Sequence, residues 1–468
     1  MQMKLRFLGA AQNVTGSRHL LEVNGSKILV DCGLYQERQF QNRNWDPFGV
    51  APSSIDALFL THAHLDHCGL LPKLVKDGFR GRVYCTSATA DIARIILQDS
   101  ARIQEEDAEF KLKRHKKESR QGPYPVAPLY TADDVTACLP LLTPVEYQET
   151  IQVRPGLSAR LCEAGHVLGS AVVRVTAELN GERRTVLFSG DIGRPNRPIV
   201  RDPATVEDAD YILIESTYGD RVHDSSQDLK QQIASVIKAA QQAGGNVVVP
   251  SFALERSQEV LYYVNELFVE DAVRRLFVFL DSPMAADILA VFQRHQDLFD
   301  QEIQDFIRQH GSPFLFPGLK VTSTSEESKA INLIKGSIVV ISGSGMCTGG
   351  RIKHHLANNI SRRECTIMFV GYQAEGTLGR LIVDGKKEVR ILGQVYPVKA
   401  KIVQIQGFSG HADKNELLAW LGALKHPPRG IFVVHGEPKS AQHFADTVRA
   451  QTGWKVSVPA YQEEAVLD

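Results

Sequence analysis

"LFLTHAHLDHCGLLPKL", Leu58–Leu74, places three histidines and one aspartate within the six positions His62–His67. In this H-x-H-x-D-H pattern His62 and His64 stand two apart and fall on the same side of an extended segment. Asp66 and His67 follow, in what the spacing predicts is the first turn of a helix over "DHCGLLPKLVK". One short turn can thereby offer two ligand pairs to two neighbouring metal positions. Imidazole with carboxylate suits zinc, and manganese or iron less well.

Two metals need more than four ligands, and the rest of the chain offers them in a repeated form. Short β-branched or apolar runs, expected to be buried strands, each end in an acid or a histidine. "KILVD" ends at Asp31, "ALFLTH" at His62 and "LSARLCEAGH" at His166. "TVLFSGD" ends at Asp191, "YILIE" at Glu215 and "GIFVVH" at His435. A single such residue is ordinary surface; six predict strand ends gathered around one site. His166, Asp191 and His435 are the candidates to complete the ligand set, and Asp191, with two oxygens, could bridge. Asp31 is expected to stand behind a ligand histidine and fix its tautomer. A dimetal centre of this kind supplies a hydroxide near neutral pH and stabilises charge on a substrate oxygen, which predicts hydrolysis without naming the bond.

The chain has 468 residues, enough for two or three domains with real cores. Its formal net charge is −1, so no global field recruits nucleic acid or membrane, and a polyanion would have to be held by local basic groups. Seven cysteines are scattered without a C-x-x-C pair, and Cys32 and Cys68, beside the histidine cluster, are expected to be packing residues. That usage fits a reduced, cytoplasmic protein. The start "MQMKLRFLGAAQNVTG" lacks a signal-peptide core, and no run reaches membrane-spanning length.

Asp91–Arg120 has helical periodicity and ends in the basic run "KLKRHKK", expected to be a solvated helix end or else a nucleic-acid rim. A proline-rich loop, "QGPYPVAPLYTADD", follows. After Glu215 the texture changes. "NVVVP", "RLFVFLD" and "GSIVVISG" each lead through a turn into a helix, with Ser251 and Ser282 as expected helix caps. Such repetition predicts a parallel α/β module inserted into the first domain, whose last strands come from beyond Lys401. The expected division is 1–215, 216–400 and 401–468.

"HAHLDH", "AGHVLGSA" and "SGDIG", in that order, resemble the metallo-β-lactamase superfamily. "ESTYGDR", "PSFALERSQE", "LDSPMA", "GSGMCTGGR", "GYQAEGTLGR", "GFSGHAD" and "VVHGE" narrow the resemblance to its β-CASP branch of nucleic-acid-processing nucleases. The likeness is to compact bacterial and archaeal RNA nucleases related to the endonuclease subunit of the cleavage and polyadenylation specificity factor. It implies an α/β fold: a metallo-β-lactamase αββα sandwich with an inserted parallel-sheet β-CASP domain. It also implies one zinc on His62, His64 and His166, a second on Asp66, His67 and His435, and Asp191 between them. Glu215 and His411 match the family's acid pair, with His411 as general acid for the departing ribose oxygen. The implied reaction is attack of a bridging hydroxide on a phosphodiester of single-stranded RNA, leaving 5′-phosphate and 3′-hydroxyl ends.

The stretch "SGSGMCTGGRIKHH" lacks Walker spacing. Its Ser344 and Gly345, followed by Arg351 and Lys353, could instead hold a substrate phosphate, with Arg256 and Arg380 as weaker candidates. The sequence is expected to lack the extra domains that some relatives carry before "MKLRFLGA" or after "VVHGE", which leaves endonuclease and exonuclease action both open. Monomer and homodimer are likewise open. Competing readings are a DNA nuclease of the same superfamily, a thioesterase, and an inactive RNA-binding scaffold. The thioesterase leaves the inserted module without a task, and the scaffold is disfavoured because every ligand position is intact.

Overall fold

The computed structural model describes residues 2–118, 126–223, 228–334 and 336–468. Two compact units divide the chain: Met1–Arg197, Arg201–Val222 and Gly410–Asp468 form one, and Pro198–Val200 with His223–Ser409 form the other.

The first unit is built on two seven-stranded sheets. In one, Glu464–Leu467, Met3–Phe7, His19–Val23 and Ser26–Val30 pair antiparallel, and Ala57–Phe59, Arg82–Cys85 and Leu142–Pro144 continue it in parallel. In the other, Ile151–Arg154, Leu157–Glu163, Ala171–Leu179 and Glu182–Phe188 form an antiparallel meander. Tyr211–Glu215, Gly430–Val434 and Val456–Ser457 extend this second sheet in parallel. Strand alternation gives each sheet an inner face, and Phe7, Leu21, Val30 and Phe59 meet Leu161, Val173, Phe188 and Leu213 in one buried core. On the outer face of the second sheet Val172, Leu187, Ile212 and Val433 are covered by Leu417 and Leu421 of helix Lys414–Leu421 and by Phe444 and Val448 of helix Pro438–Thr452. The result is the expected layered sandwich.

Local departures have physical causes. The helix expected over "DHCGLLPKLVK" is two short ones, Leu65–Cys68 and Leu71–Lys76, because the segment breaks at Gly69–Leu70 and restarts with Pro72 in the first turn. The long helix expected over Asp91–Arg120 starts earlier, at Ser87, and is described to Glu118; its second half exposes Phe110 and Leu112 beside the basic run. The end of the expected helix, 119–120, and the first part of the expected proline-rich loop, 121–125, lie outside the described residues. Among the described residues no helix is long and apolar enough to cross a membrane. All seven cysteines are buried and unbridged.

The second unit carries a six-stranded, wholly parallel sheet in the order Leu319–Val321, Phe277–Leu280, Ile338–Ser342, Val247–Pro250, Thr366–Phe369, Lys401–Gln404. Its central strands are almost continuous runs of Val, Ile and Phe, as a sheet covered on both faces requires. Residues Lys401–Gln404, assigned above to the returning segment, form an edge strand of this sheet. Ser282 caps helix Pro283–Arg294 by accepting from the Ala285 N–H, as expected. Ser251 does not cap its helix: the loop runs on, and Arg256–Val269 starts after Glu255, whose φ of 64° turns the chain.

Removing a ring from between the two sheets of the first unit leaves a void that the flanking strands cannot close. Phe59→Ala, at a fully buried position stacked on Tyr84, should destabilise the protein by about 3–5 kcal/mol, read from the urea midpoint at unchanged m-value.

Candidate metal centre

Backbone zippering fixes the histidine turn. The Ser17 N–H donates to the Asp66 carbonyl (2.8 Å), Cys32 N–H to His67 (2.7 Å) and Leu34 N–H to Leu65 (2.9 Å), while Leu70 N–H donates back to Cys32 (2.8 Å). Thus the segment after strand Ser26–Val30 is laced to residues 65–70, and Gly33 is the residue that permits so close an approach. A methyl there would collide with the Asp66 carbonyl and lie 2.8 Å from the Ser17 nitrogen.

The side chains presented by this turn of the first sheet converge with others from strand ends of the second. His62, His64, His166 and Asp191 form one group of ligand-competent atoms, and Asp66, His67 and His435 another, each within 4.8 Å. Asp191 joins them. Its Oδ2 lies 3.5 Å from His62 Nε2 and 3.6 Å from His166 Nε2, and its Oδ1 lies 3.3 Å from His67 Nε2 and 3.5 Å from His435 Nε2. His435 Nε2 is also 3.6 Å from Asp66 Oδ2. Each carboxylate oxygen therefore faces its own set of imidazoles.

Asp31 stands behind the cluster. Its carboxylate lies 2.7 Å from His67 Nδ1 and accepts from the Thr61 N–H (2.8 Å), the Thr61 hydroxyl (3.0 Å) and the Ser17 hydroxyl (3.3 Å). The Thr61 hydroxyl also lies 3.1 Å from His62 Nδ1, and the Thr217 hydroxyl 3.2 Å from His435 Nδ1. Orientation of the rings is thus set from behind by hydroxyls and one carboxylate. Asp31 and His435 both sit in the left-handed region, φ 60° and 49°, a strained backbone for residues with a Cβ.

The electrostatics divide the imidazoles. Burial holds His62 and His166 well below the usual histidine range and His64 down to about 4, so all three are neutral and offer lone pairs. Burial also opposes charge on His67 and His435, but Asp191 and Asp31 raise the first, and Asp191 and Asp66 the second. Despite burial, His435 and His67 hold Asp66 and Asp191 well below the carboxylate range.

The donor set fits a metal. Asp191 Oδ1 is buried without a hydrogen-bond partner although two imidazole nitrogens face it, and His62 Nε2 lies 3.0 Å from His64 Nδ1. Imidazole nitrogens and carboxylate oxygens converging on a common point in this way are satisfied by a shared cation.

At the rim, His411 Nδ1 lies 3.1 and 3.2 Å from the two oxygens of Glu215 and 3.9 Å from Asp191 Oδ2. Glu215 is fully buried and accepts from the Ile192 N–H (2.8 Å) and the Thr217 N–H (3.3 Å). Burial alone would lower His411; the Glu215 and Asp191 charges push it up to about 9. Asp413 caps helix Lys414–Leu421 in a reciprocal box with Glu416, so the ordinary helix start and the His411–Glu215 pair coexist.

The phosphate-binding candidates Arg256, Ser344, Gly345, Arg351, Lys353 and Arg380 all belong to the second unit. Arg351 is turned inward, onto the buried Asp281 carboxylate (2.7 Å) and the Ser323 carbonyl (2.8 Å). Arg256 pairs with Glu259 and covers the Phe408 ring, and Arg380 pairs with Asp384 (2.8 Å). Ser344 accepts from the Thr348 N–H (3.1 Å), Gly345 packs on Phe252, and Lys353 is half-buried. The residues missed from sequence are Thr61, Ser17 and Thr217. Only Thr61, directly before His62, had any signal, and a lone hydroxyl beside a histidine is too common to be one.

Three family models match the chain: a metallo-beta-lactamase superfamily domain over residues 20–189, a Beta-Casp domain over 257–382, and a Zn-dependent metallo-hydrolase RNA specificity domain over 395–459. The chain is 38% identical to ribonuclease TTHA0252 of Thermus thermophilus, over 98% of its own length and 99% of that protein's. It is 32% identical to transcription termination factor FttA of Methanocaldococcus jannaschii, over 96% of its length and 69% of that protein's. A crystal structure of a protein of unknown function from Enterococcus faecalis V583 superposes with a TM-score of 0.56 at 12% identity, covering 100% of both chains, a likeness of fold alone.

The backbone lacing gives a direct test of how the site is held. Gly33→Ala must separate the Ser17 and Asp66 segments, and should cost about 1–3 kcal/mol in urea unfolding while lowering the metal retained after gel filtration.

Proposed function

Because the chain belongs to the β-CASP family of metallo-β-lactamase-fold hydrolases, we propose that it is a zinc-dependent ribonuclease that cuts phosphodiester bonds of single-stranded RNA in the cytoplasm. The observation that carries this reading is the shared Asp191 carboxylate, whose two oxygens face separate imidazole sets beside the His411–Glu215 pair. His62, His64 and His166 would hold one ion, Asp66, His67 and His435 the other, and Asp191 would touch both. What zinc supplies when bound is acidified water and positive charge beside the scissile phosphate.

The protein's own part is proton delivery and alignment. Departure of the ribose 3′ oxygen needs a proton, because an alkoxide is a poor leaving group. His411, charged by its carboxylate neighbours and held through Nδ1 by Glu215, is the group to deliver it. Such a cut leaves a 3′-hydroxyl and a 5′-phosphate. Asp31, Thr61 and Thr217 keep the ligand rings aimed. RNA is preferred over DNA as substrate because the RNA specificity domain model covers 395–459 and the nearly full-length relative TTHA0252 is named a ribonuclease. Buried, unbridged cysteines accord with a reducing compartment.

The decisive experiment incubates the zinc-loaded protein with end-labelled single-stranded RNA and the matching DNA. RNA should be cut and DNA spared; cutting of DNA alone would sink the reading. His411→Ala should lower kcat by roughly 10²–10⁴-fold with zinc content unchanged. Asp66→Ala should lose both zinc and activity, and an equally active Asp66→Ala protein would mean a contaminant or a wrong ligand set. The ladder also separates internal cuts from stepwise trimming.

Zinc content gives a second, activity-independent measure. Asp31→Asn should weaken zinc binding about 10–100-fold in chelator competition. Chelation of the wild-type protein should lower its melting temperature, with recovery on adding zinc, since a ligand bound only by the native state stabilises it by mass action.

A further inference from the structure

Phe252 follows strand Val247–Pro250 at the carboxyl end of the parallel sheet in the second unit, and 40% of its surface is exposed. A single exposed ring is ordinary. Its surroundings are not. The ring lies against Gly345, after strand Ile338–Ser342, and Gly371, after strand Thr366–Phe369. A methyl on Gly345 would stand 2.8 Å from the ring, and one on Gly371 3.4 Å from it.

These glycines are clamped. Gln373, only 2% exposed, donates through Nε2 to the carbonyls of Gly345 (3.0 Å) and Gly371 (3.2 Å). Gly379 leaves room for that amide, which a side chain there would strike. The backbone of Phe252 is held as well: its carbonyl accepts from the Ser257 hydroxyl (2.7 Å) and the Ser251 hydroxyl (3.2 Å). Tyr372, between the clamped glycine and the clamping glutamine, exposes 57% of its surface. Three loops from neighbouring parallel strands thus frame one aromatic ring and keep bulk away from it. The carboxyl edge of an open parallel sheet is where ligands of such sheets are bound.

We propose that Phe252 is a stacking platform for an unpaired nucleobase of the RNA, framed by Gly345 and Gly371 and clamped by Gln373. The proposal rests on the ribonuclease reading and extends it to a subsite. Stacking on a preformed ring suits a single-stranded substrate of varied sequence, because every base has a π-face. It also explains why Ser251 is turned to the Phe252 carbonyl instead of capping the next helix.

The test measures binding of a short fluorescein-labelled single-stranded RNA by anisotropy, in a His411→Ala background, for the full chain carrying Phe252, F252L, F252A or F252W. Removing the ring, in F252L and F252A, should weaken binding roughly 5- to 150-fold, while F252W retains it. The slope of affinity against salt should be unchanged, since no phosphate contact is removed. RNA lacking one base should bind the Phe252 protein more weakly at one position along the strand, and that dependence should vanish in F252L. F252L keeps the apolar bulk, so a fold defect in F252A alone does not decide the matter. F252L binding within twofold of the parent overturns the proposal, as does an equal loss in F252W. If the parent binds RNA and the His411-intact protein cuts it while F252L is indifferent, only the platform falls. If the parent binds no single-stranded RNA, the ribonuclease reading falls with it.

Discussion

A carboxylate buried to 2% exposure among imidazoles is the constraint around which the first unit is arranged. Removing an ionised group from water costs several kcal/mol unless partners compensate. Asp191 Oδ2 faces His62 and His166, and Oδ1 faces His67 and His435, so the compensation is divided between two sets of nitrogens. No single strand could supply both. The sets come from the turn after strand Ala57–Phe59 in one sheet and from strand ends Glu163, Phe188 and Val434 in the other. Face-to-face packing of the two sheets is what brings these ends together, and the core of Phe59, Phe188 and Leu213 holds them at that spacing.

The strand-end pattern made this much of the site legible in the sequence. A β-branched run closing in His or Asp reports both the strand and the residue its end carries, and all six such residues arrive within one cluster or directly behind it. The hydroxyls were not legible. Thr61, Ser17 and Thr217 act only through where the folded backbone aims them, and threonine and serine are too frequent for position alone to mark them. The partners of the arginines were equally illegible. Arg351 looks like a phosphate ligand beside a glycine-rich turn, but Asp281, seventy positions earlier, takes its guanidinium, and nothing local announces that partner. In the same way Ser251 has the residue type of a cap, yet its hydroxyl serves the preceding loop.

The glycines carry a second layer of information that composition hides. Gly33 allows the Asp31 segment to lie against the Asp66 turn, and Gly345 and Gly371 keep the Phe252 ring bare. In each case the missing side chain matters because another group occupies its space. The strained φ angles of Asp31 and His435 show a similar logic at the metal centre. Both residues leave a strand and must turn at once to reach the cluster, so the backbone takes a conformation that glycine would adopt more cheaply but that glycine could not use for chemistry.

The position of the insertion within the first unit links its topology to the proposed proton donor. Chain leaves this unit after Val222 and returns at Gly410. The two junctions are tied together: Tyr218 bridges Asp413 as in a parallel sheet, and the Lys414 N–H donates to the Arg221 carbonyl (3.1 Å). Glu215 lies just before the exit and His411 just after the return, 3.1 Å apart although 196 positions separate them. Closing a loop of that length costs little more than closing a short one, and less if the insert folds by itself and brings its ends together. The acid pair therefore forms only when the insertion has been correctly bracketed, whereas His62, His64, Asp66 and His67 arrive as one local turn. Four of the clustered side chains are encoded in a single stretch, whereas His166, Asp191, His435 and the His411–Glu215 contact depend on the whole chain having been assembled around it.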